Sequence, residues 1–244
     1  MTQEELYSRL AKYYDSIYHW KDYKKEAQEI RRLIRRYKKS SGNSLLDVAC
    51  GTGAHLSYLQ SDFECEGVDI SEDMIAVAKK NFPLVKLGMG NMVDFDLGKQ
   101  FDVVLCLFSS IGYLQTDGEI SKAISNFARH LKPGGVLMIE PFFTRSEWID
   151  GSVHMQTNDS DSLKIARVSF SQSKPGFALF DEEYLIGEAG KGIGHVRDHH
   201  KMRFFEPEVY SKAVTAVGLN YSYLKRGLMP RRGLLVCTRP KGIA

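Results

Sequence analysis

The sequence predicts an α/β fold built on a doubly wound, seven-stranded and mostly parallel sheet, with an antiparallel β insert after strand five. Two observations predict it. Strand and helix patterns alternate from residue 44 to residue 140, as they do in parallel sheets that carry helices on both faces. From about residue 148 to residue 203 the pattern changes to a period of two, which is typical of antiparallel strands. A length of 244 residues suits one such domain with an elaboration.

The first strand and the turn after it carry the main functional signal. Residues 45–53 read Leu-Leu-Asp-Val-Ala-Cys-Gly-Thr-Gly, which predicts a buried strand from Ser44 to Ala49, a tight turn, and a helix through His55 to Gln60. Glycines allow a sharp turn and let a ligand approach the backbone, because they have no Cβ. The segment therefore predicts a ligand site at the end of this strand.

The second strand, Cys65 to Asp69, ends in a carboxylate 18 residues after Gly51. An acidic residue at about this distance is placed to accept hydrogen bonds from the two ribose hydroxyls of an adenosine-type cofactor. A dinucleotide fingerprint needs a third glycine three residues after Gly53, where this chain has Leu56. A nicotinamide-dependent reductase is therefore the disfavoured alternative.

The remaining elements follow from capping and periodicity. Ser71 can cap a helix whose first turn carries Glu72 and Asp73. The run from Phe101 to Phe108 is almost continuously apolar, as expected for a central strand covered on both faces. The other predicted elements are strand three (Val85–Leu87), an amphipathic helix over 118–131 that ends at Lys132-Pro133-Gly134-Gly135, strand five (Val136–Glu140), a helix over Pro207–Val217, and strands near Tyr221–Leu224 and Leu234–Cys237.

The insert is predicted from alternation such as Leu163, Ile165, Arg167 and Ser169, with a turn at Lys174-Pro175-Gly176. We therefore expect a cofactor-binding domain made of residues 1–147 and 204–244, interrupted by a β insert at residues 148–203.

Composition places the chain among ordinary soluble proteins, with 43% hydrophobic and 26% charged residues. No apolar run approaches the roughly 18 residues of a membrane span, and Met1–Glu5 lacks the features of a signal peptide. The cysteines show no Cys-x-x-Cys spacing, so we expect reduced thiols in a cytoplasmic protein rather than disulfides or zinc. They are Cys50, Cys65, Cys106 and Cys237.

The most basic segment is Arg31–Lys39, in a chain whose net charge is only +3. Apolar residues recur beside it at helical spacing, which predicts a helix with a buried stripe and a charged, solvated outer face. Binding of RNA or another polyanion to that face is the alternative. The stripe consists of Ala27, Ile30, Leu33, Ile34 and Tyr37.

The histidines of the insert include His195, His199 and His200, close together near its end. His199 and His200 are adjacent, so on a strand they point to opposite faces and cannot easily share a metal ion. We expect no metal site. Surface or packing roles are favoured, and a role as proton acceptor is the alternative.

The glycine turn, Asp-Val-Ala-Cys-Gly-Thr-Gly, with Asp47 before it and Asp69 after it, resembles that of class I S-adenosylmethionine-dependent methyltransferases. Later segments resemble the TDP-3-amino-sugar N,N-dimethyltransferases of the desosamine and mycaminose type. These segments are Phe-Ser-Ser-Ile-Gly-Tyr-Leu at 108–114, Ala-Arg-Val-Ser at 166–169, Gly-Lys-Gly-Ile at 190–193 and Arg-Gly-Leu at 232–234.

The resemblance implies a Rossmann-like fold, S-adenosyl-L-methionine as cofactor, and N-methylation of a small-molecule amine, with a nucleotide-linked 3-amino sugar as the leading substrate. It also assigns cofactor contacts by position. Where the family pattern is Gly-Asp-Met, this chain has Gly90-Asn91-Met92, so the contact to the adenine edge has lost a charge. The assigned contacts are Ala49, Gly51 and Gly53 at the methionine part, Tyr23 at its amino-acid tail, Asp69 at the ribose, Ile70, Met74, Asn91 and Met92 at the adenine, and Leu107 under the sulfonium.

On the acceptor side, the resemblance places Tyr14 near the reacting amine. Tyr113 follows strand four, at the edge of the sheet where doubly wound folds bind ligands, so it is the second predicted catalytic residue. Arg167 and Arg232 match family positions suited to a pyrophosphate, and Arg145 and Arg231 are nearby alternatives. Phe142-Phe143 stands where relatives carry tryptophans, so the wall of the acceptor site, to which the insert contributes, differs in this chain.

Three other functions stay open at this stage. One is a methyltransferase for another class of small molecule. The second is an RNA- or protein-directed methyltransferase that uses the Arg31–Lys39 helix, and the third is a module that senses the cofactor without turnover. We expect no membrane partner, and a monomer or homodimer.

Overall fold

The structure is a computed structural model that describes residues 4–241. Most of the Met1–Glu5 segment, which was inspected for a signal peptide, therefore lies outside the described residues. Within residues 4–241, no helix has both the length and the apolar character needed to cross a bilayer.

The helices and strands alternate along most of the chain. The helices are α1 (Tyr14–Ile17), α2 (Tyr23–Tyr37), α3 (Ala54–Leu59), α4 (Glu72–Asn81), α5 (Asp117–Arg129) and α6 (Pro207–Ala216). The strands are β1 (Ser44–Val48), β2 (Glu64–Asp69), β3 (Lys86–Met89), β4 (Phe101–Cys106), β5 (Leu131–Ile139), β6 (Ser152–Asp159), β7 (Leu163–Lys174), β8 (Phe177–Glu188), β9 (Gly192–Arg203), β10 (Asn220–Leu224) and β11 (Leu234–Thr238).

The predicted seven-stranded, mostly parallel sheet is confirmed, in the order β10-β11-β5-β4-β1-β2-β3. Only β11 runs antiparallel to its neighbours β5 and β10. Strand β1 pairs with both β2 and β4, so the winding direction reverses there. In doubly wound sheets this reversal opens a crevice at the carboxyl ends of the strands, where ligands bind.

One boundary prediction is wrong. Residues 132–135, predicted to end a helix, lie inside β5, which begins at Leu131. Leu131 pairs with Phe101, and Val136 pairs with Val103. The part of β5 between these pairs is longer than the matching part of β4, and a shift of the register accommodates its additional residues, which include Pro133 and two glycines. A bulge of this kind tolerates proline and glycine that a regular central strand would exclude.

Two apolar layers cover the sheet. On one face Ile120, Ile124 and Phe127 of α5 pack against the strands. On the other face Ile30 and Leu33 of α2 do the same, together with residues of α3 and α4. The predicted stripe of α2 is therefore buried.

The insert forms a separate four-stranded sheet in the order β6-β7-β8-β9, with antiparallel pairing throughout. The N-terminal segment packs against it, since Leu6 and Ile17 share a buried cluster with Ile165 and Tyr184 of the insert. Met74 of α4 belongs to the same cluster. The N-terminal segment therefore fills the space between the insert and the end of the main sheet.

Candidate active site

The turn after β1 has a backbone that only glycine adopts easily. Gly51 has a φ of +56° and Gly53 a φ of +80°, both in the left-handed region. A Cβ on Gly51 would lie 3.2 Å from the Met74 methyl carbon, and one on Gly53 would lie 2.9 Å from the Phe82 ring. Any side chain there would meet both backbone strain and a neighbour.

The Asp69 carboxylate joins this turn to the end of β2. It accepts hydrogen bonds from the Gly51 amide at 2.8 Å and from the Ser71 amide at 2.9 Å. Burial raises the pKa of Asp69, and these amides oppose the shift. A carboxylate has about four acceptor sites, so two remain for the hydroxyls of a ribose.

A pocket at the carboxyl ends of β1 and β4 brings together most residues assigned to the methionine part of the cofactor. Burial in its floor raises the pKa of Asp47 to about 7. The lining residues are Tyr14, Tyr23, Asp47, Ala49, Cys50, Gly51, Thr52, Ala54, His55, Leu107, Phe108 and Ser110. Among the residues predicted for the methionine end of the cofactor, Gly53 lies next to this lining, in the same turn.

The residues assigned to the adenine lie on the β2 and β3 side of the turn. Ile70 is 58% exposed and Met74 is buried directly below Gly51. Asn91 Oδ1 accepts a hydrogen bond from the Val93 amide at 3.2 Å, and Met92 packs on the apolar core. Ile70 is the most exposed of these residues, and the adenine contacts of Ile70, Met74, Asn91 and Met92 remain predictions.

A buried group of charges below the pocket was missed by the sequence-based reasoning. The Glu26 carboxylate contacts the Lys21 ammonium with one oxygen and His55 Nε2, at 2.7 Å, with the other. Burial opposes ionisation of Glu26, but His55 and Lys21 hold its pKa below the ordinary value. The available signal was a glutamate on the otherwise apolar stripe of α2, one helical turn before Ile30.

The turn after β4 is strained and tightly held. Phe108 and Ser109 have φ values of 52° and 63°, unusual for residues with side chains. The buried Glu140 carboxylate accepts a hydrogen bond from the Phe108 amide at 2.8 Å, and the Ser109 hydroxyl donates to the Pro141 carbonyl at 2.8 Å. Such strain persists only where surrounding contacts fix it, commonly at functional sites. Here it directs Phe108 into the pocket.

An aromatic wall continues from this turn. Phe142 is buried and its ring lies 5.6 Å from Trp148 and 6.0 Å from Phe204. Phe143 is partly exposed, and the guanidinium of Arg232 lies 5.0 Å from its ring centroid and 5.5 Å from that of Phe108. The predicted Phe142, Phe143 and Arg232 are therefore adjacent to the pocket.

Arg167 lies on the inner face of the insert and is buried. It donates a hydrogen bond to the Tyr18 hydroxyl at 3.1 Å and lies 3.7 Å from the Glu182 carboxylate. The ring of Tyr18 packs edge-on against Phe108, with centroids 5.2 Å apart. Arg167 thus reaches the pocket through Tyr18, with Glu182 balancing its charge.

Both predicted catalytic tyrosines belong to one aromatic cluster. Tyr14 is 8% exposed, and its ring centroid lies 4.7 Å from that of Tyr18 and 6.2 Å from that of Tyr7. The Tyr113 hydroxyl lies 2.8 Å from the Tyr7 hydroxyl. Tyr7 therefore stands between Tyr14 and Tyr113.

The N-terminal segment is fastened over the glycine turn. The Thr52 hydroxyl, at the centre of the turn, donates a hydrogen bond to Asp15 at 2.6 Å. At the other end of the segment, Asp198 accepts hydrogen bonds from the amides of Glu5 and Leu6. The segment therefore covers part of the pocket, to whose lining it contributes Tyr14.

A family model described as a methyltransferase domain matches residues 45–135, which contain the glycine turn and Asp69. Among curated proteins, the chain is 39% identical over 226 residues to the dTDP-3-amino-3,4,6-trideoxy-alpha-D-glucopyranose N,N-dimethyltransferase of Streptomyces venezuelae, with 91% of this chain and 94% of the relative covered. It is 36% identical to the dTDP-3-amino-3,6-dideoxy-alpha-D-glucopyranose N,N-dimethyltransferase of Streptomyces fradiae, over 92% of this chain and 89% of the relative.

Solved structures agree. The crystal structure of Streptomyces venezuelae DesVI superposes with a TM-score of 0.89 at 39% identity, covering 95% of this chain and 98% of that chain. The sugar N-methyltransferase KedS8 of Streptoalloteichus sp. ATCC 53650 gives a TM-score of 0.87 at 33% identity, covering 99% and 95%. The S-adenosylmethionine-bound amino pentose methyltransferase CalS10 from Micromonospora echinaspora gives 0.80 at 36% identity, covering 90% and 92%.

We predict that Asp69→Asn weakens binding of S-adenosylmethionine by roughly 10- to 100-fold, because hydrogen bonds to a charged group contribute about 1.5–3 kcal/mol. The substitution removes the charge and replaces one acceptor oxygen with a donor that faces the Ser71 amide. Isothermal titration calorimetry measures the affinity, and Asp73→Asn, an exposed position in the first turn of α4, is the matched control. Unchanged affinity of the Asp69 variant would contradict the assignment.

Proposed function

The chain belongs to the S-adenosylmethionine-dependent N-methyltransferases, in the family of the amino-sugar N,N-dimethyltransferases, and we propose that it methylates the amino group of a nucleotide-linked 3-amino sugar. The observation that carries the proposal is a continuous surface from the glycine turn to an arginine-bearing aromatic wall. Phe108 lines the cofactor pocket and also contacts Tyr18 and Arg232. The reacting end of the cofactor and the wall for the acceptor therefore meet at one residue.

Two features support a nucleotide-linked acceptor. The Arg232 guanidinium lies against the rings of Phe108 and Phe143. A planar guanidinium at this position can donate two parallel hydrogen bonds to phosphate oxygens. Arg231, with the left-handed φ of 62°, places its guanidinium 5.8 Å from the Phe143 ring. Arg167, already near Glu182, contributes less free charge, so we assign the diphosphate chiefly to Arg232.

The chemistry suits this site. Bound S-adenosylmethionine supplies a methyl group on a sulfonium, which an uncharged amine can attack directly. Because the positive charge becomes dispersed, apolar walls such as Leu107 and Phe108 do not oppose the reaction. Holding the two reacting atoms in line contributes up to about 7–11 kcal/mol in favourable cases. The protein's task is to orient the amine and exclude water.

Tyr14 and Tyr113 are the proposed catalytic residues. Tyr14 lines the cofactor pocket, which supports a position close to the reacting amine. The insert, residues 148–203, supplies Trp148 and Phe180 to the aromatic wall. We therefore propose that residues 1–147 and 204–244 bind the cofactor, while the insert completes the acceptor site.

The ion pairs of the basic helix favour its interpretation as a solvated surface over an RNA-binding site. Arg31 donates to Asp62 at 2.6 Å, and Arg32 pairs with Glu29 on its own helix. These carboxylates neutralise part of the positive face.

The four cysteines are free thiols, which supports the predicted cytoplasmic location. That the protein is a monomer or a homodimer remains a prediction.

The test of the proposed function is mass spectrometry of TDP-3-amino-3,6-dideoxyhexose incubated with the purified protein and S-adenosylmethionine. We expect one or two added methyl masses, which also reports the degree of methylation. The 4-amino isomer, tested in parallel, measures selectivity for the position of the nitrogen. Bound cofactor with no methylation of either sugar would contradict the proposed acceptor.

We predict that Tyr14→Phe lowers kcat while leaving S-adenosylmethionine affinity nearly unchanged, because we assign the lost hydroxyl to the amine rather than to the cofactor. The expected loss is on the order of tenfold or more, as for a hydrogen bond made chiefly in the transition state. Steady-state kinetics and calorimetry measure the two quantities, with the exposed Tyr58→Phe as control. An equal loss of affinity and turnover would refute this role.

A further inference from the structure

A chain of hydrogen-bonding groups leads away from the acceptor site into the insert. The hydroxyls of Tyr7 and Tyr113 lie 2.8 Å apart, and the Tyr113 hydroxyl lies 2.8 Å from His200 Nδ1. On the far side of the imidazole, His200 Nε2 lies 3.1 Å from Asp198 Oδ2. Tyr113 is partly exposed, whereas His200 and Asp198 are 5% and 3% exposed. The chain thus runs from Tyr113, beside the aromatic wall, to a buried histidine that contacts an aspartate.

The surroundings hold His200 in one orientation. The rings of Tyr7 and Phe180 lie 5.8 Å and 6.4 Å from it. Asp198 is fixed by amide donors, since Glu5 and Leu6 bind its two oxygens at 3.0 Å and 2.7 Å. Residues from the N-terminal segment, the turn after β4 and the insert therefore all converge on this imidazole.

We propose that Tyr113, His200 and Asp198 form a proton relay that accepts the proton released from the acceptor amine at each methyl transfer. The proposal rests on the proposed function as an N-methyltransferase. In this relay Tyr113 is the catalytic residue, assigned to contact the amine because it packs against the aromatic wall that contains Phe142. His200 receives the proton through Tyr113, and Asp198 is a positioning residue that stabilises the charge on the imidazole.

Each methyl transfer forms one bond to the methyl carbon and breaks another. The amine lone pair forms the new nitrogen–carbon bond, and the carbon–sulfur bonding pair remains on sulfur. The methylated ammonium then gives one proton to the Tyr113 oxygen, while Tyr113 passes its own proton to His200 Nδ1. The imidazolium, stabilised by Asp198, later returns one proton to solvent, so a second methylation can follow.

The relay needs His200 to be neutral before each transfer. Burial lowers the pKa of His200, but the nearby carboxylates outweigh it and raise the pKa above the ordinary value. The groups that face His200 are Asp198, Glu182, Glu4, Tyr7 and Tyr113. Turnover should therefore fall as the pH drops through this raised pKa, since the protonated imidazole cannot accept a proton.

The neighbouring histidine provides a matched control. His199 lies on the opposite face of β9, is exposed, and contacts Asp181 at 2.7 Å. It has the same chemistry one residue away but no contact with Tyr113. His199→Gln should therefore leave kcat and its pH profile unchanged, while His200→Gln removes the proton acceptor.

The experiment compares kcat from pH 5 to 9 for His200→Gln, Tyr113→Phe, their double variant and His199→Gln, with any amine that the wild-type protein methylates. Loss of a positioned proton acceptor is expected to lower kcat by about 10²-fold. KM and cofactor affinity should change by less than about twofold, and the double variant should lose no more than either single variant. Because any accepted amine serves, failure of the amino-sugar proposal and failure of the relay are distinguishable.

Asp198→Asn gives an independent readout. Asparagine keeps one of the two oxygens that bind the Glu5 and Leu6 amides and removes the charge, so the pKa of His200 should fall. NMR titration of the His200 imidazole in the free protein measures that fall, and the acid limb of the kcat profile should move to lower pH by the same amount. The amine's own pKa cannot produce this shift. Wild-type kcat in His200→Gln, or an acid limb that does not follow the NMR titration in Asp198→Asn, would overturn the relay.

Discussion

The hydrogen bond from the Gly51 amide to the Asp69 carboxylate is the contact on which the rest of the active site depends. It joins the turn after β1 to the end of β2 at 2.8 Å, so that turn and carboxylate present one surface to a ligand. The contact requires a glycine backbone at φ +56°, with Met74 directly beneath. We propose that the methionine end of the cofactor then points toward Leu107 and Phe108, which line the same pocket. The position proposed for the methyl group, and the roles proposed for the acceptor residues, depend on this surface.

A second constraint comes from burying charge beside a reacting sulfonium. Two buried carboxylates in this region have partners: Glu26 contacts Lys21 and His55, and Glu140 accepts a hydrogen bond from the Phe108 amide. Burying an unpaired charge there would cost several kcal/mol, because the charge would lose its hydration and gain no partner in the protein. The compensated charges keep the strained turn at Phe108 in place, while the pocket wall remains apolar. Folding and catalysis therefore rely on the same buried pairs.

The sequence predicted what depends on local pattern. The glycine turn, the carboxylate of Asp69 and the alternation of elements all follow from spacing within about 20 residues. The predicted start of β5 was wrong, because the bulge opposite Phe101 depends on the partner strand β4 and not on the sequence of β5 itself. His200 could not be told apart from His195 and His199 by sequence, since its contact with Tyr113 joins positions 87 residues apart. The pairing of Arg167 with Glu182 likewise appears only when β7 and β8 align, so its role toward phosphate stays a prediction.

The most direct test of the central claim, that one closed site aligns the amine with the methyl donor, is a crystal structure with S-adenosylhomocysteine and a TDP-3-amino sugar. The account predicts the ribose hydroxyls on Asp69 and the amine nitrogen aimed in line at the sulfur, within reach of Tyr14 or Tyr113. The gap should leave room for a methyl group about 3–3.5 Å from the nitrogen, as in a near-attack geometry. An amine directed away from the sulfur, or a sugar bound outside the wall of Phe142 and Phe143, would contradict it.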